Sequence, residues 1–474
     1  MASLLAELRR AGREPGLPLE LETGSGRVRV EQWLRVLPGK RLVGRGVLEG
    51  QSVLIKLFIA SGAERHWQRE LEGVQALIAS QIPTPALLDS GSFEAGGYYL
   101  LTEFIEHSAT LQQQWEALPD QTPTNPQAHH LLRQALAVIA LLHANGLQQH
   151  DLHLGNFLRR DDQVYVIDGD AVEPVCPGQV LPVKQVQANL KLFFAQLTPD
   201  WDAELASLLD RYLVVCPVHG LNLGVLHQET VTYRQHRLDE FLGKTLRDCS
   251  LFAVTRTPGR FTTVLRSEAE ALGDLLRDPD GAFSGPPLLK DGGSSTVTRV
   301  HVGDREVVIK RYNIKGLSHW LTRFWRPSRA WHSWLAAHRL QFLGIATPAP
   351  LAMIEQRFGP LRRGAWLITD YCPGPDLVQQ LGVDGENVPD AASAAKLLRL
   401  FRQLTTAQIS HGDFKGNNIL WHADAPLLID LDAMRAHNNA QSWRTAWARD
   451  KARLLRNWPA GSALVRWLQE HFPN

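Results

Sequence analysis

The chain has 474 residues, 44% of them hydrophobic and 21% charged, with a formal net charge of +1. That length asks for two or three domains rather than one core, and the even charge balance argues against nucleic acid as a partner. Cys176, Cys216, Cys249 and Cys372 form no CxxC pair, which argues against a zinc site or a disulfide framework and fits a reducing compartment.

The opening stretch, "MASLLAELRRAGREPGLPLELETG", carries charges where a signal peptide is apolar, and no run of about 18 apolar residues follows. A cytoplasmic protein is expected, one still able to rest on a membrane surface. "RLVGRGVLEGQSVLIKLF" (Arg41–Phe58) reads as strands around a glycine turn, ending beyond Lys56. "ERHWQRELEGVQALIAS" has helical spacing, with Trp67, Leu71, Val74 and Ile78 on one face. "GYYLLTEFI" is an apolar strand, and "HHLLRQALAVIALLHANG" is an apolar helix closed by Gly146. A polar loop follows, then the strand "VYVID", which delivers Asp168. The second half repeats the order: "STVTRVHVGDREVVIKRY", a long basic segment, "GAWLITDYC", "AASAAKLLRLFRQLTTAQ", a polar loop and "PLLID".

Three landmarks recur in register. Lys56 and Lys310 each lie near the end of a β-rich run. Thr84 of "IPTPALL" matches Thr347 of "IATPAPL". "HDLHLGNFLRRDDQVYVIDGDAV" (His150–Val172) matches "HGDFKGNNILWHADAPLLIDLDAM" (His411–Met434). The pairs Lys56/Lys310, Thr84/Thr347 and Asp151/Asp413 stand 254, 263 and 262 residues apart. A period that long is a whole domain and not a solenoid repeat. Two tandem domains are expected, residues 1–255 and 256–474, with the seam near "TRTPGR" (Thr255–Arg260), where Pro and Gly punctuate the chain.

The polar blocks suggest chemistry. Asp413 and Asn418 share a loop, and Asp430 arrives 17 residues after Asp413; Asp151, Asn156 and Asp168 repeat the spacing. An Asn and a carboxylate offer oxygen ligands suited to Mg²⁺, which takes few protein ligands beside substrate phosphates. A separate carboxylate can accept the proton of an attacking hydroxyl, and a strand Lys upstream can neutralise phosphates. These are the parts of an ATP-dependent phosphoryl-transfer site in the protein-kinase arrangement. The plain alternative, polar residues that only cap turns, accounts for one copy but not for two at one spacing.

On these motifs the chain resembles the lipopolysaccharide core kinases, which phosphorylate Kdo or heptose. The likeness is best from about Gly292 to Met434, in "VVIKRYN", "SRAWHSW", "LGIATPAP", "HGDFKGNNIL" and "LIDLDAM"; the first half looks like a divergent copy. The resemblance implies an α+β fold of two tandem protein-kinase-like domains, each with a small β-rich lobe and a larger helical lobe, using ATP and Mg²⁺. It implies Asp413 as catalytic base, Lys415 on the transferring phosphate, Lys310 on the ATP phosphates, and Asn418 and Asp430 on Mg²⁺. Asp151, Lys56, Asn156 and Asp168 would repeat these roles. Glu103–Ile105 and Asp370–Cys372 fall where a hinge would meet adenine. The implied acceptor is a lipid-linked core oligosaccharide, reached in the cytoplasm with peripheral contact at the inner membrane.

Each copy departs from the kinase pattern. Glu70 occupies the helix position that orients the strand Lys, but its counterpart is Ser333, and no Asp or Glu occurs between Glu306 and Glu355. The first half has His153 where the second has Lys415, and neither half has a clean GxGxxG; "GRGVLEG" and "DGGSST" are loose phosphate-loop candidates. Asp170 and Asp432 could add charge near the metal or bond to backbone. The basic, Trp-bearing segment 310–339, with Leu317, Trp320, Leu321 and Phe324 at helical spacing, has three readings: a membrane-surface helix, an acceptor grip, or packing on the small lobe. A tandem pseudokinase scaffold, or a kinase for another small molecule or protein, stays open beside the sugar-kinase reading.

Overall fold

The computed structural model describes residues 2–94, 96–218, 220–285, 287–313, 327–358 and 361–473. Backbone contacts divide the chain into two units, Met1–Arg234 and Gln235–Asn474. Thr255–Arg260, read above as the seam, is the tip of a hairpin within the second unit, where Thr257 pairs with Arg260. Pro258–Gly259 suits a tight turn as readily as a linker. Leu317, Trp320, Leu321 and Phe324 of the basic segment lie outside the described residues.

In the first unit, β1 (Leu19–Thr23), β2 (Gly26–Leu37), β3 (Arg41–Leu48), β4 (Gln51–Phe58), β5 (Leu87–Ser92) and β6 (Tyr98–Glu103) form an antiparallel sheet in the order β1-β2-β3-β4-β6-β5. The twofold alternation of strand side chains divides β4 between two faces. Val53, Ile55 and Leu57 are fully buried in a core shared with Leu5 and Leu8 of helix α1 (Ala2–Arg10). Lys56 therefore points to the opposite face, toward helix α2 (Ala63–Ala79).

The inward face of α2 differs from the apolar stripe read from the sequence. Glu70, Gly73, Val74 and Leu77 are buried, whereas Ile78 is 47% exposed. The helix is rotated so that Glu70 meets Lys56, and an ion pair has outweighed one isoleucine. The "GRGVLEG" candidate is also not a phosphate loop. Gly44 and Gly46 lie within β3, where a Cβ on Gly46 would stand 2.6 Å from the Arg29 carbonyl oxygen. These glycines let β2 and β3 approach closely.

The rest of the first unit is mainly helical. Helix α3 (Pro126–Ala144) starts at an Asn125 cap with Pro126 in its first turn, and Gly146 beyond its end takes a φ of 74°. Leu132, Leu136 and Ile139 of α3 pack with Phe193 and Phe194 of α4 (Val183–Phe194) and with Trp201. The strands β7 (Phe157–Arg160) and β8 (Gln163–Val166) form the hairpin before Asp168.

The second unit has a seven-stranded sheet, with an added hairpin at one edge. Its sheet contains β9 (Phe252–Thr257), β10 (Arg260–Leu265), β11 (Leu288–Gly292), β12 (Ser295–Val302), β13 (Arg305–Tyr312), β14 (Pro350–Phe358) and β15 (Leu361–Asp370), ordered β9-β10-β14-β15-β13-β12-β11. Helix α5 (Arg329–Phe342) is capped by Ser328 and α6 (Ala391–Thr406) by Asp390; the hairpin β16 (Ile419–His422) with β17 (Ala425–Leu428) precedes Asp430, and α7 (Ala440–Leu455) follows it. Val307 and Ile309 are fully buried, so Lys310 faces the other side of β13, as Lys56 does on β4. "DGGSST" forms the β11–β12 turn, with Gly292 paired to Ser295.

The "TP" landmarks have a shared structural task. Thr84 Oγ1 donates to the Val166 carbonyl (2.9 Å), and Thr347 Oγ1 donates to the Leu428 carbonyl (2.8 Å). Val166 N–H donates to Pro83, and Leu428 N–H donates to Ala346. Each linker thus fixes the strand that ends two residues before Asp168 or Asp430.

Candidate active site

In the first unit, Lys56 Nζ lies 2.5 Å from Glu70 and 3.1 Å from Asp168. Glu70, 1% exposed, also accepts from the backbone N–H groups of Gly169 and Asp170. Burial works against the Lys56 ammonium, but Glu70 and Asp168 outweigh it and raise its pKa. Burial opposes the Asp168 carboxylate too, yet Lys56 and Arg41 pull it down to about 2. Asp168 adopts left-handed backbone, φ 71° and ψ 71°, at the end of its strand.

The loop carrying Asp151 is tied to the same place. Asn156 Nδ2 donates to the Asp151 carbonyl (2.6 Å), and Asn156 O accepts from Ile167 N–H. His153 accepts the Gly155 N–H and stands 3.6 Å from Asp151, whose pKa it lowers through hydrogen bonding. Lys56, Glu70, Asp151, Asn156 and Asp168 line one cleft of about 480 Å³, together with Glu103, Phe104 and Ile105. That volume falls in the range of small-ligand pockets.

In the second unit, Lys310 Nζ lies 2.5 Å from Asp430 and 2.9 Å from Asp432. Burial opposes its charge, and Tyr312 and the two carboxylates raise its pKa. Burial also opposes the Asp430 carboxylate, but Lys310, Lys290 and His411 lower its pKa. Asp430 repeats the left-handed backbone of Asp168, φ 59° and ψ 58°. Lys310, Asn418 and Asp430 line a cleft of about 510 Å³, with Asp370, Tyr371 and Cys372 at one side.

Asn418 Nδ2 donates to the Asp413 carbonyl (2.8 Å), and Asn418 O accepts from Ile429 N–H, repeating the first unit's bonds. The Asp413 carboxylate is ion-paired to Lys415 (3.2 Å) and Arg453 (2.5 Å). The backbone before it is held by buried Asp450 on α7, which accepts from the N–H groups of His411 (2.6 Å) and Gly412 (3.0 Å). In the first unit the corresponding partner is neutral Asn189 on α4, bonded to both backbone groups of Gln149 and to His143.

The structure thus brings Lys56, Asp151, Asn156 and Asp168 to one cleft in the first unit, and Lys310, Asn418 and Asp430 to one cleft in the second, with Asp413 tied beside it through Asn418. Sequence reasoning missed Tyr312, Asp450 and Arg453. Tyr312 stands two residues after Lys310, where Phe58 follows Lys56, and that added hydroxyl was a readable signal; Asp450 and Arg453 had none, because their helix lies beyond the repeated block. Among the described residues, no three His, Cys, Asp or Glu side chains form a metal-ligand group. The available set is one Asn and one Asp. With its amide nitrogen committed to the Asp413 carbonyl, Asn418 has an oxygen that can ligate. Such a sparse, hard-oxygen set fits Mg²⁺, which keeps waters and phosphate oxygens as its other ligands. Also among the described residues, no helix is long and apolar enough to cross a membrane.

Comparison with curated proteins found no match. The chain is similar to a solved structure described as WaaP in complex with acyl carrier protein, at 16% identity and a TM-score of 0.31, over 44% of this chain and 88% of that one. It is also similar to the structure of vaccinia related kinase 3, at 12% identity and a TM-score of 0.29, over 50% of this chain and 80% of that one. Residues 287–462, which include Lys310, Asp413, Asn418 and Asp430, match the model of the lipopolysaccharide kinase (Kdo/WaaP) family.

Proposed function

We propose that the second unit transfers the γ-phosphoryl group of ATP to a hydroxyl of a lipopolysaccharide inner-core sugar, a heptose or Kdo. We further propose that the first unit is a divergent tandem copy of the same kinase-like domain. The observation that carries this reading is the meeting of Lys310, Asn418 and Asp430 around one cleft, with Asn418 tied to the backbone of Asp413, inside the stretch that matches the lipopolysaccharide kinase family.

In the proposed reaction Asp413 takes the proton of the acceptor hydroxyl while that oxygen bonds to the γ-phosphorus. The bond from the γ-phosphorus to the bridging oxygen breaks, and ADP leaves. Lys415 and Arg453 orient the Asp413 carboxylate, to which both are ion-paired, and in this reading Lys415 meets the transferring phosphate. Lys310 holds the ATP phosphates. Asn418 and Asp430 would hold Mg²⁺, which supplies charge neutralisation at the phosphate oxygens when bound. A lipid-linked acceptor would be met at the cytoplasmic face of the inner membrane.

The first unit keeps Lys56, Glu70, Asp151, Asn156 and Asp168, and on this reading binds Mg-ATP as well. His153, engaged in capping Gly155 where the second unit has Lys415, favours for this unit the alternative of a nucleotide-binding pseudokinase half. The test is the mass of the core oligosaccharide from cells with the intact gene, without it, and with Asp413→Asn or Asp151→Asn. Loss of one phosphate without the gene and in Asp413→Asn supports the reading. An unchanged core mass in all strains overturns the acceptor and leaves a kinase for another molecule or a scaffold.

A further inference from the structure

The helix position that should supply a carboxylate to Lys310 holds Ser333, yet Lys310 has two carboxylate partners. The second one is Asp432, which comes from the loop after Asp430. Its Oδ1 lies 2.9 Å from Lys310 Nζ and accepts from the hydroxyls of Tyr312 (2.9 Å) and Ser333 (2.9 Å), whose oxygens stand 3.1 Å apart. Arg329 stands 3.8 Å from its other oxygen. Resting on the kinase reading above, we propose that Asp432 is the positioning residue for Lys310, a loop carboxylate that takes over the task of the missing helix glutamate.

The first unit shows the other solution to the same problem. There Glu70 reaches Lys56 from the helix, and the loop residue matching Asp432, Asp170, pairs instead with Arg41 (3.5 Å) and Arg69 (3.4 Å). The neighbours differ in concert. Glu70 with Phe58 becomes Ser333 with Tyr312, so the lost carboxylate is matched by two hydroxyls aimed at the new one. Gly73 and Gly169 let helix and loop backbones touch in the first unit: a Cβ on Gly73 would lie 2.0 Å from the Gly169 oxygen. The matching positions hold buried Ala336 and Leu431, whose side chains forbid that approach. A carboxylate on the loop spans the gap that a helix glutamate closes by contact.

The experiment is Mg-ATP titration of the full chain carrying Asp168→Ala, which silences the first cleft. Asp432→Asn should weaken binding about tenfold, and Tyr312→Phe, a gentler change, about threefold. The double variant Ser333→Glu with Asp432→Gly, which moves the carboxylate from the loop to the helix position that Glu70 holds in the first unit, should recover most of the affinity that Asp432→Gly alone loses. Recovery separates positioning from a general loss of fold, because a destabilised loop gains nothing from a new glutamate. The proposal is overturned if Asp432→Asn and Tyr312→Phe bind as tightly as the parent, or if the double variant is no tighter than Asp432→Gly. The kinase reading fails separately if the parent shows no Mg-ATP binding that Asp430→Ala removes.

Discussion

Asp413 is held between two cations, Lys415 and Arg453, while Asp450 fixes the backbone just before it. On the proposed mechanism this carboxylate serves as the base and holds no nucleotide. Asp413→Asn should therefore lower turnover about a thousandfold, in line with loss of a general base, while the Kd for Mg-ATP stays within about threefold. A Kd that rises in step with the loss of rate would place Asp413 in nucleotide binding instead. Asp168 offers a pH test. Its pKa drops from 3.8 to about 2 on folding, so it contributes stability above pH 4 that is lost as pH falls toward 2. The melting-temperature advantage of the parent over Asp168→Asn should be full at pH 5 and shrink through that window; a constant difference would mean that Asp168 keeps its charge in neither state or in both.

Among elements, α2 and α5 occupy the same place in their units with different chemistry at the loop they face. In α2, Gly73 and Gly169 allow backbone contact, and Glu70 closes the ion pair. Gly73→Ala pushes one backbone against the other, with no flexible side chain to give way. It should cost about 1–3 kcal/mol of stability, as overpacking does, and loosen Mg-ATP at the first cleft only. Denaturant unfolding measures the first effect and titration of the Asp430→Ala background the second. An unchanged midpoint would mean that α2 shifts freely. At the start of α3, Asn125 caps Gln127 N–H and also donates to the Asp120 carbonyl. Its replacement by Ala should cost about 1 kcal/mol, visible as a lowered unfolding midpoint with little change in slope.

Across the whole molecule, each unit carries a Lys–Asp pair, an Asn-tethered loop and a cleft of similar size. The full chain should therefore bind two equivalents of Mg-ATP in calorimetric titration. Asp168→Ala and Asp430→Ala should each remove one. A parent stoichiometry of one, unchanged by Asp168→Ala, would assign nucleotide binding to the second unit alone and favour a pseudokinase role for the first.

The sequence by itself determined the paired motifs, the α+β class, and the Lys, Asn and Asp that line each cleft. Those were legible because they are local: strand alternation turns Lys56 and Lys310 away from the core, and the block from Asp151 to Asp168, like that from Asp413 to Asp430, is one loop and one hairpin. The tertiary structure alone decided the partners that come from distant elements. The inward face of α2 followed the ion pair of Glu70 rather than the apolar stripe through Ile78. The loop anchor Asp450 and the clamp Arg453 lie on a helix outside the repeated block. The carboxylate missing from α5 reappeared at Asp432, because a side chain's partner is set by which backbones the packing allows to approach, and no spacing along one strand or helix encodes that.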